Sequence, residues 1–306
     1  MENISRSNFS NLLWPGLNAI WGDTYKEQTL THKQLFKVVK STKAYERDQQ
    51  ITGMGLAQVK NEGAAIAYDR MLQGFLKEYT NVVYALGASI TREAYEDDQY
   101  DKLNKIPKVI ARSIAETQEV VAFSVLNNSF TTELTGDGVS IMNAAHPLVG
   151  GGTASNVLDT PADLAESSLQ ELLTNIGLAV NDRGLRIKLM PKKLIVAPQN
   201  QWRAQEILKS DLSTRTVTQG ATGITNTNAL NTMKGVLEVH MSPYLNDPDA
   251  FWVMTDAEDG LKYFDRSPAK YEMDNEFNTF NMNTVGSVRF AVGATDWRCL
   301  FGTPGA

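Results

Sequence analysis

The longest run of helical periodicity lies between Thr91 and Phe130. Leu103, Ile106, Ile110, Ile114, Val121 and Val125 recur at spacings of three, four and seven, which marks one face of a helix. Glu93, Glu96, Asp97 and Asp98 crowd the first turns and Arg112 lies further on, as the helix dipole favours. Asn127-Asn128 supplies a left-handed stop. A continuous rod of almost forty residues at about 1.5 Å each would reach roughly 57 Å. Pro107 argues against one rod, because proline inside a helix costs about 3 kcal/mol. The pattern predicts a kinked or broken pair. A short acidic helix ends near Leu103, and a longer one follows with Pro107 in its first turn.

Upstream the period changes to two. Ala64, Ile66 and Tyr68 alternate with Ala65, Ala67 and Asp69, and Val82, Tyr84, Leu86, Ala88 and Ile90 stand opposite Val83, Ala85, Gly87 and Ser89. These runs predict a long β-hairpin over 46–90, entered through Gly53–Gly55 and reversing at Arg70–Gly74. Lys60, Glu62, Asp69, Arg70, Lys77 and Glu78 sit on its outer part. A two-stranded hairpin is marginal alone and needs a partner surface. Residues 1–45 read as an arm. Leu17, Ile20 and Trp21 follow Pro15 at helical spacing, and Trp14, Trp21, Tyr25 and Phe36 have few apolar companions nearby. Such an arm packs either on its own domain or across a neighbouring subunit.

Residues 131–160 are loop-rich, and Gly150-Gly151-Gly152-Thr153 lacks the lysine of a phosphate loop, so it reads as a turn. Residues 160–260 read as an α/β domain. A helix is expected to start at Thr160-Pro161-Ala162-Asp163, carry Leu169, Leu172, Leu173, Ile176 and Val180, and stop by Gly184. Lys193–Ala197 is a buried strand, Gln199–Lys209 a helix, and Val236–Met241 and Phe251–Thr255 further strands. Between them Asp211–Asn231 is a long polar loop. Leu261–Phe264 and Lys270–Met273 flank a turn at Ser267-Pro268, and Thr284–Ala294 alternates as a strand whose partner lies beside the long helix.

The 306 residues are 42% hydrophobic, enough for one large core or two small ones. A net charge of −6 and a pI of about 5.2 exclude tight binding to nucleic acid through phosphates. Cys299 is the only cysteine, so disulfides and thiolate metal sites are absent and a reducing compartment is expected. No stretch has the apolar length of a membrane helix, and the first residues lack the pattern of a secretory signal. His32, His146 and His240 share no motif, and Asp256–Gly260 lacks calcium-loop spacing. No catalytic, cofactor or metal residues emerge. Extended parts that cannot stabilise themselves point to assembly.

The chain also carries a series of family motifs. They begin with Tyr45-Glu46, Gly53-Met54-Gly55-Leu56, Glu62-Gly63, Tyr68-Asp69, Gly74, Lys77 and Tyr79-Thr80. Thr91-Arg92-Glu93, Asp97-Asp98, Asn127-Asn128 and Phe130 follow. His146-Pro147-Leu148, Gly151-Gly152-Thr153, Ser155-Asn156 and Thr295-Asp296-Trp297-Arg298 complete the series. From about residue 35 onward the chain resembles the major capsid proteins of tailed bacteriophages, near the Mu-like major head subunits. The resemblance implies an α+β fold of the Hong Kong 97 type. Its parts would be an N-terminal arm (1–45), an extended hairpin loop (46–90), a peripheral domain with a spine helix (91–159), an axial domain (160–260) and C-terminal strands returning to the peripheral domain (261–306). It further implies hexamers and pentamers closing into an icosahedral shell around double-stranded DNA, with scaffold, portal and cement proteins as partners. Subunits would be made in the host bacterial cytoplasm and end in the virion. The contacts expected between subunits are Trp14, Leu17, Ile20 and Trp21 in the arm, the six hairpin charges, and Asp211 and Arg215 near the symmetry centres. An encapsulin-like compartment shell and an enzyme with acids gathered only in three dimensions are the alternative readings.

Overall fold

The structure is a computed structural model that describes residues 10–63, 65–91, 104–212, 218–219, 224–225, 231–276 and 281–306. The chain forms two compact units. The first comprises Met1–Glu46, Thr80–Ala122 and Tyr263–Val292; the second comprises Arg47–Tyr79, Phe123–Lys262 and Gly293–Ala306.

In the first unit, strands β1 (Lys37–Lys40), β4 (Val82–Ile90), β12 (Leu261–Asn275) and β13 (Met282–Ala294) form one sheet in the order β1-β12-β13-β4. Antiparallel pairing sets Met282 opposite Ile90 and Phe290 opposite Val82. Thus Val82–Ile90 is a strand as its alternation predicts, but its partner is the C-terminal strand β13 rather than residues 64–68. Helix α2 (Lys105–Asn127) begins two residues before Pro107, whose missing N–H falls where no intrahelical partner exists. The acidic segment expected before it lies outside the described residues. Ile110, Ala111, Ile114 and Ala115 are buried along α2. Gly286 lets the helix approach the sheet: a Cβ there would lie 2.4 Å from Ile110 Cγ2 and 3.2 Å from Ile114 Cγ1.

Helix α1 (Ser10–Glu27) contains Pro15 in its interior, so the arm helix starts earlier than Pro15 suggests. Its Trp21 ring stacks on Tyr25 at 5.2 Å and on Tyr271 of β12 at 6.1 Å. A continuous β12 replaces the two strands and turn expected at Ser267-Pro268.

The second unit is built on the sheet β10-β7-β11-β14, with β7 Pro191–Val196, β10 Glu238–Met241, β11 Phe251–Thr255 and β14 Leu300–Thr303. β10 runs parallel to β7, while β11 is antiparallel to both β7 and β14. Leu194, Ile195 and Val196 are fully buried, as a short all-apolar run predicts. Helices α3 (Glu166–Gly177) and α4 (Gln201–Lys209) cover the sheet through Leu169, Leu172 and Ile176 and through Ala204, Ile207 and Leu208. Helix α3 starts after the expected Thr160 cap because Ser168 supplies the local bonds: its hydroxyl accepts from Ala165 N–H at 3.0 Å and donates to the Asp163 carbonyl at 2.8 Å. It also stops at Gly177, before Val180. Gly184, at φ +76°, serves the following turn instead.

The rest of the predicted hairpin is rearranged. β2 (Tyr45–Ile51) pairs with β3 (Gln73–Thr80), and residues 52–72 between them are a loop without strand pairing among the described residues. Gly74 permits this pairing, since a Cβ would sit 2.8 Å from the Gln50 carbonyl oxygen. The triple glycine is a turn as read: Gly151 and Gly152 have φ of +93° and +86° and reverse the chain between β5 (His146–Pro147) and β6 (Thr153–Ala154). Within the polar loop, strands β8 (Thr218–Gln219) and β9 (Ile224–Thr225) pair antiparallel. Among the described residues no helix is long and apolar enough to cross a membrane.

Candidate assembly surfaces

The loop between β2 and β3 is closed at its base and open beyond it. Thr52 N–H donates to the Leu72 carbonyl at 3.1 Å, and Leu72 N–H donates to Thr52 Oγ1 at 2.9 Å. Asp69 makes the second tie: its carboxylate accepts from Gly55 N–H at 2.7 Å, from Arg70 N–H at 2.8 Å and from Arg183 Nη1 at 2.6 Å. Those donors, the Gly55 N–H first and Arg183 next, hold the Asp69 carboxyl below its ordinary range. Past this base the apolar side chains face solvent: Leu56 is 79% exposed, and Val59 and Tyr68 are 94% exposed. Soluble chains rarely leave such a group uncovered unless it meets a partner.

Four of the charges expected to reach a neighbouring subunit are paired within the chain. Besides Asp69 with Arg183, Lys77 Nζ lies 3.3 Å from Glu133, Glu78 lies 2.9 Å from Arg47 Nε, and Asp211 pairs with Lys234. Arg70 offers its carbonyl to Arg183. Lys60 and Glu62 are exposed and carry no ion pair among the described residues. The Asp69 carboxylate is thus already bonded to a guanidinium and two amides. Leu17 and Trp21 are buried inside the chain itself, because Tyr25 and Tyr271 supply the apolar companions missing from the local sequence. Ile20 is half-buried; the Trp14 side chain and Arg215 lie outside the described residues.

A second exposed surface is the outer edge of β4. Val82, Val83 and Leu86 are 47%, 58% and 44% exposed. On α4, Trp202 stands 73% exposed, a surface residue that helical periodicity alone did not single out.

Two of the histidines are structural ties. In the first unit His32 Nδ1 lies 2.8 Å from Glu119 Oε1, Thr31 Oγ1 donates to Glu119 Oε2 at 2.5 Å, and the imidazole stacks on Tyr263. Burial pushes the Glu119 carboxyl up, but the His32 and Thr31 bonds outweigh it and hold it below its ordinary range. In the second unit His146 Nδ1 lies 2.6 Å from Asp137, and its ring stacks on Trp297 at 4.5 Å. Asn156 anchors the same corner, donating to the Ile141 carbonyl at 2.7 Å and to that of Leu300 at 3.0 Å. Arg298 is buried between Asp182 at 2.8 Å and Asp296 at 3.2 Å. His146, Asn156, Trp297 and Arg298 all belong to the motifs read in the sequence, and their spacing along the chain hid that three of those motifs meet. Cys299 is buried, and burial pushes its thiol up. Among the described residues no group of three or more His, Cys, Asp or Glu is arranged to hold a metal ion.

This architecture is that of capsid subunits. The capsid of cyanophage P-SCSP1u superposes with a TM-score of 0.59 at 10% identity, covering 91% of this chain and 89% of that one. The capsid of a native GTA particle gives 0.56 at 13% identity over 90% of each chain. A virus-like particle from Pyrococcus furiosus gives 0.54 at 10% identity over 94% and 98%. The α+β fold of the Hong Kong 97 type expected from the resemblance is thereby borne out. A family model described as phage capsid protein matches residues 77–302, and the chain belongs to the phage capsid protein family. Among curated protein sequences none matches it.

Proposed function

We propose that this chain is a major capsid subunit that assembles as hexamers and pentamers into an icosahedral shell around double-stranded phage DNA. The observation that carries the reading is the family match across residues 77–302, on a fold that superposes with a phage capsid over 91% of this chain. The loop of residues 52–72 adds physical support, because its exposed apolar side chains need a partner that a single chain does not supply. In this reading 1–45 form the arm, 46–90 carry the extended loop, 91–159 hold the spine helix, 160–260 form the axial domain, and 261–306 return to the peripheral domain. The polar segment Asp211–Asn231, with Arg215, lies near the symmetry centres, where low charge avoids a ring of like charges. Lys60, Glu62 and the apolar loop residues meet a neighbouring subunit. A subunit of net charge −6 forms a wall that packaged DNA does not adhere to. Scaffold, portal and cement proteins complete the particle, which is built in the bacterial cytoplasm.

Likeness to the virus-like particle of Pyrococcus furiosus favours a second reading, an encapsulin-like shell around protein cargo. Electron microscopy of the purified protein, alone and co-expressed with its neighbouring genes, tests both. Closed shells are expected, and native particles should hold DNA. A protein cargo with no DNA supports the second reading, and a protein that forms no shell under either condition refutes both.

A further inference from the structure

Helix α2 breaks a local rule at its start. Its first turn holds two lysines, Lys105 and Lys108, and no acid. The N-terminal end of a helix is positive, so cations there cost stability and carboxylates add to it. Both lysines are exposed, as is Arg112 a turn further on, and none of the three carries an ion pair among the described residues. A local rule broken with no return inside the chain marks residues kept for something outside it.

The three cations share one face. Lys105, Lys108, Arg112 and Glu116 step along α2 by three and four residues, and all four are exposed. Val109 and Val120 fall on the same side and are 61% and 51% exposed. At 3.6 residues per turn the six positions span about 120° of arc, and at 1.5 Å per residue the stripe is about 22 Å long. The face that meets the sheet, through Ile110 and Ile114, is buried. The exposed stripe is therefore cationic over its first two turns and bares two valines along its length. A second helix laid alongside reaches every one of these positions.

We propose that this stripe of α2 docks an acidic, amphipathic helix of a separate protein. Its carboxylates meet Lys105, Lys108 and Arg112, and its apolar side chains cover Val109 and Val120. The inference rests on the shell-subunit reading above and deepens it by naming the surface that an assembly partner uses. Charge complementarity selects the occupant: three unpaired cations in line on a chain of net charge −6 call for an acidic partner. Nucleic acid fits less well, because phosphates gain nothing from the two valines and are repelled by Glu116. The chain's own acids, Glu96, Asp97, Asp98 and Asp101, precede Lys105 directly in sequence, so they would have to double back to lie along the stripe.

The test uses the full-length, unassembled subunit and two fluorescent probes. One is a synthetic helix of about twenty residues, with leucine along one face and glutamate beside it. The other is a DNA duplex of random sequence. Fluorescence anisotropy should show the acidic helix binding, and binding more weakly as salt rises. Lys105→Glu together with Lys108→Glu should weaken it by about tenfold or more. Lys188→Glu together with Lys192→Glu, the same charge change on exposed lysines of the second unit, should leave it unchanged. The first pair should also raise the urea midpoint of the subunit, since it places acids in the first turn of α2. A lowered midpoint assigns the lysines to the fold and overturns the proposal. Equal loss in both pairs, no loss in either, preference for the duplex, or no binding by wild type overturns it as well. Wild type that takes the acidic helix only after Glu96, Asp97, Asp98 and Asp101 are neutralised has a stripe filled by its own acids, which also overturns it. Failure of the wild type to form shells is a different result, which defeats the shell reading and not the docking.

Discussion

Arg183 reaches across to Asp69 and closes the base of the loop, with Nη1 2.6 Å from Oδ2. The same guanidinium donates to the Arg70 carbonyl. Two donors from one planar group fix the angle at which the loop departs as well as its position.

Replacing Arg183 with alanine should loosen the loop while leaving both units folded. Limited proteolysis should cut between residues 53 and 71 severalfold faster in the unassembled variant than in wild type. Circular dichroism of the two should coincide. Equal cleavage rates would show that the Thr52–Leu72 bonds alone hold the base.

Gly286→Ala should disturb the packing of α2 on its sheet. The new methyl meets Ile110 Cγ2 at 2.4 Å, well inside a van der Waals contact. Overpacking of this kind costs about 1–3 kcal/mol, to be read from the urea midpoint of the unassembled subunit. Adding Ile110→Ala removes the clashing atom, so the two substitutions together should cost less than the sum of each alone.

Trp21→Ala should destabilise the single subunit, since the ring is buried against Tyr25 and Tyr271 of the same chain. A loss of about 3–5 kcal/mol is expected in chemical denaturation before any assembly takes place. If the isolated subunit keeps its stability and only shell closure fails, the ring acts between subunits after all.

The bond between His32 and Glu119 makes acid stability testable. Glu119 has its carboxyl held below the ordinary range in the fold. Its contribution is therefore complete above the unfolded carboxyl value, about 4.3. It is lost as pH falls through the lower folded value. Glu119→Gln should destabilise the subunit at pH 7 by about 1–3 kcal/mol. The gap to wild type should narrow as pH falls below about 4.3. A gap that stays constant to pH 3 would place the stabilisation in packing rather than in ionised Glu119.

Local patterns made much of the fold legible. The face of α2 from Ile110 to Val125, the all-apolar β7 and the alternation of β4 each depend on residues a few positions apart, and each was readable. Pairing was not. Nothing in residues 82–90 says that their neighbour is β13, and the nearer run at Ile66 and Tyr68 looks like a better partner. Caps misled for the same reason: Thr160-Pro161 has the chemistry of a helix start, but Ser168 makes the bonds. For the assembly surfaces, the sequence showed which segments lacked companions and could not show which found them inside the chain. Trp21 found Tyr271, and Asp69 found Arg183. Val59 and Tyr68 stay exposed among the described residues.

The pairing of β4 with β13 also bears on when the protein becomes competent. The paired residues stand roughly two hundred positions apart, with Ile90 opposite Met282. A ribosome that has already released β4 must make about two hundred more residues before β13 emerges. Until then β4 has two bare edges, and helix α2 lacks the sheet surface that Gly286 shapes for it. Loop closure over such a separation is slow, and an uncharged strand left waiting is prone to wrong pairings. The first unit is thus finished only once β13 has been made, roughly two hundred residues after β4. Chaperone demand should fall on that interval of translation.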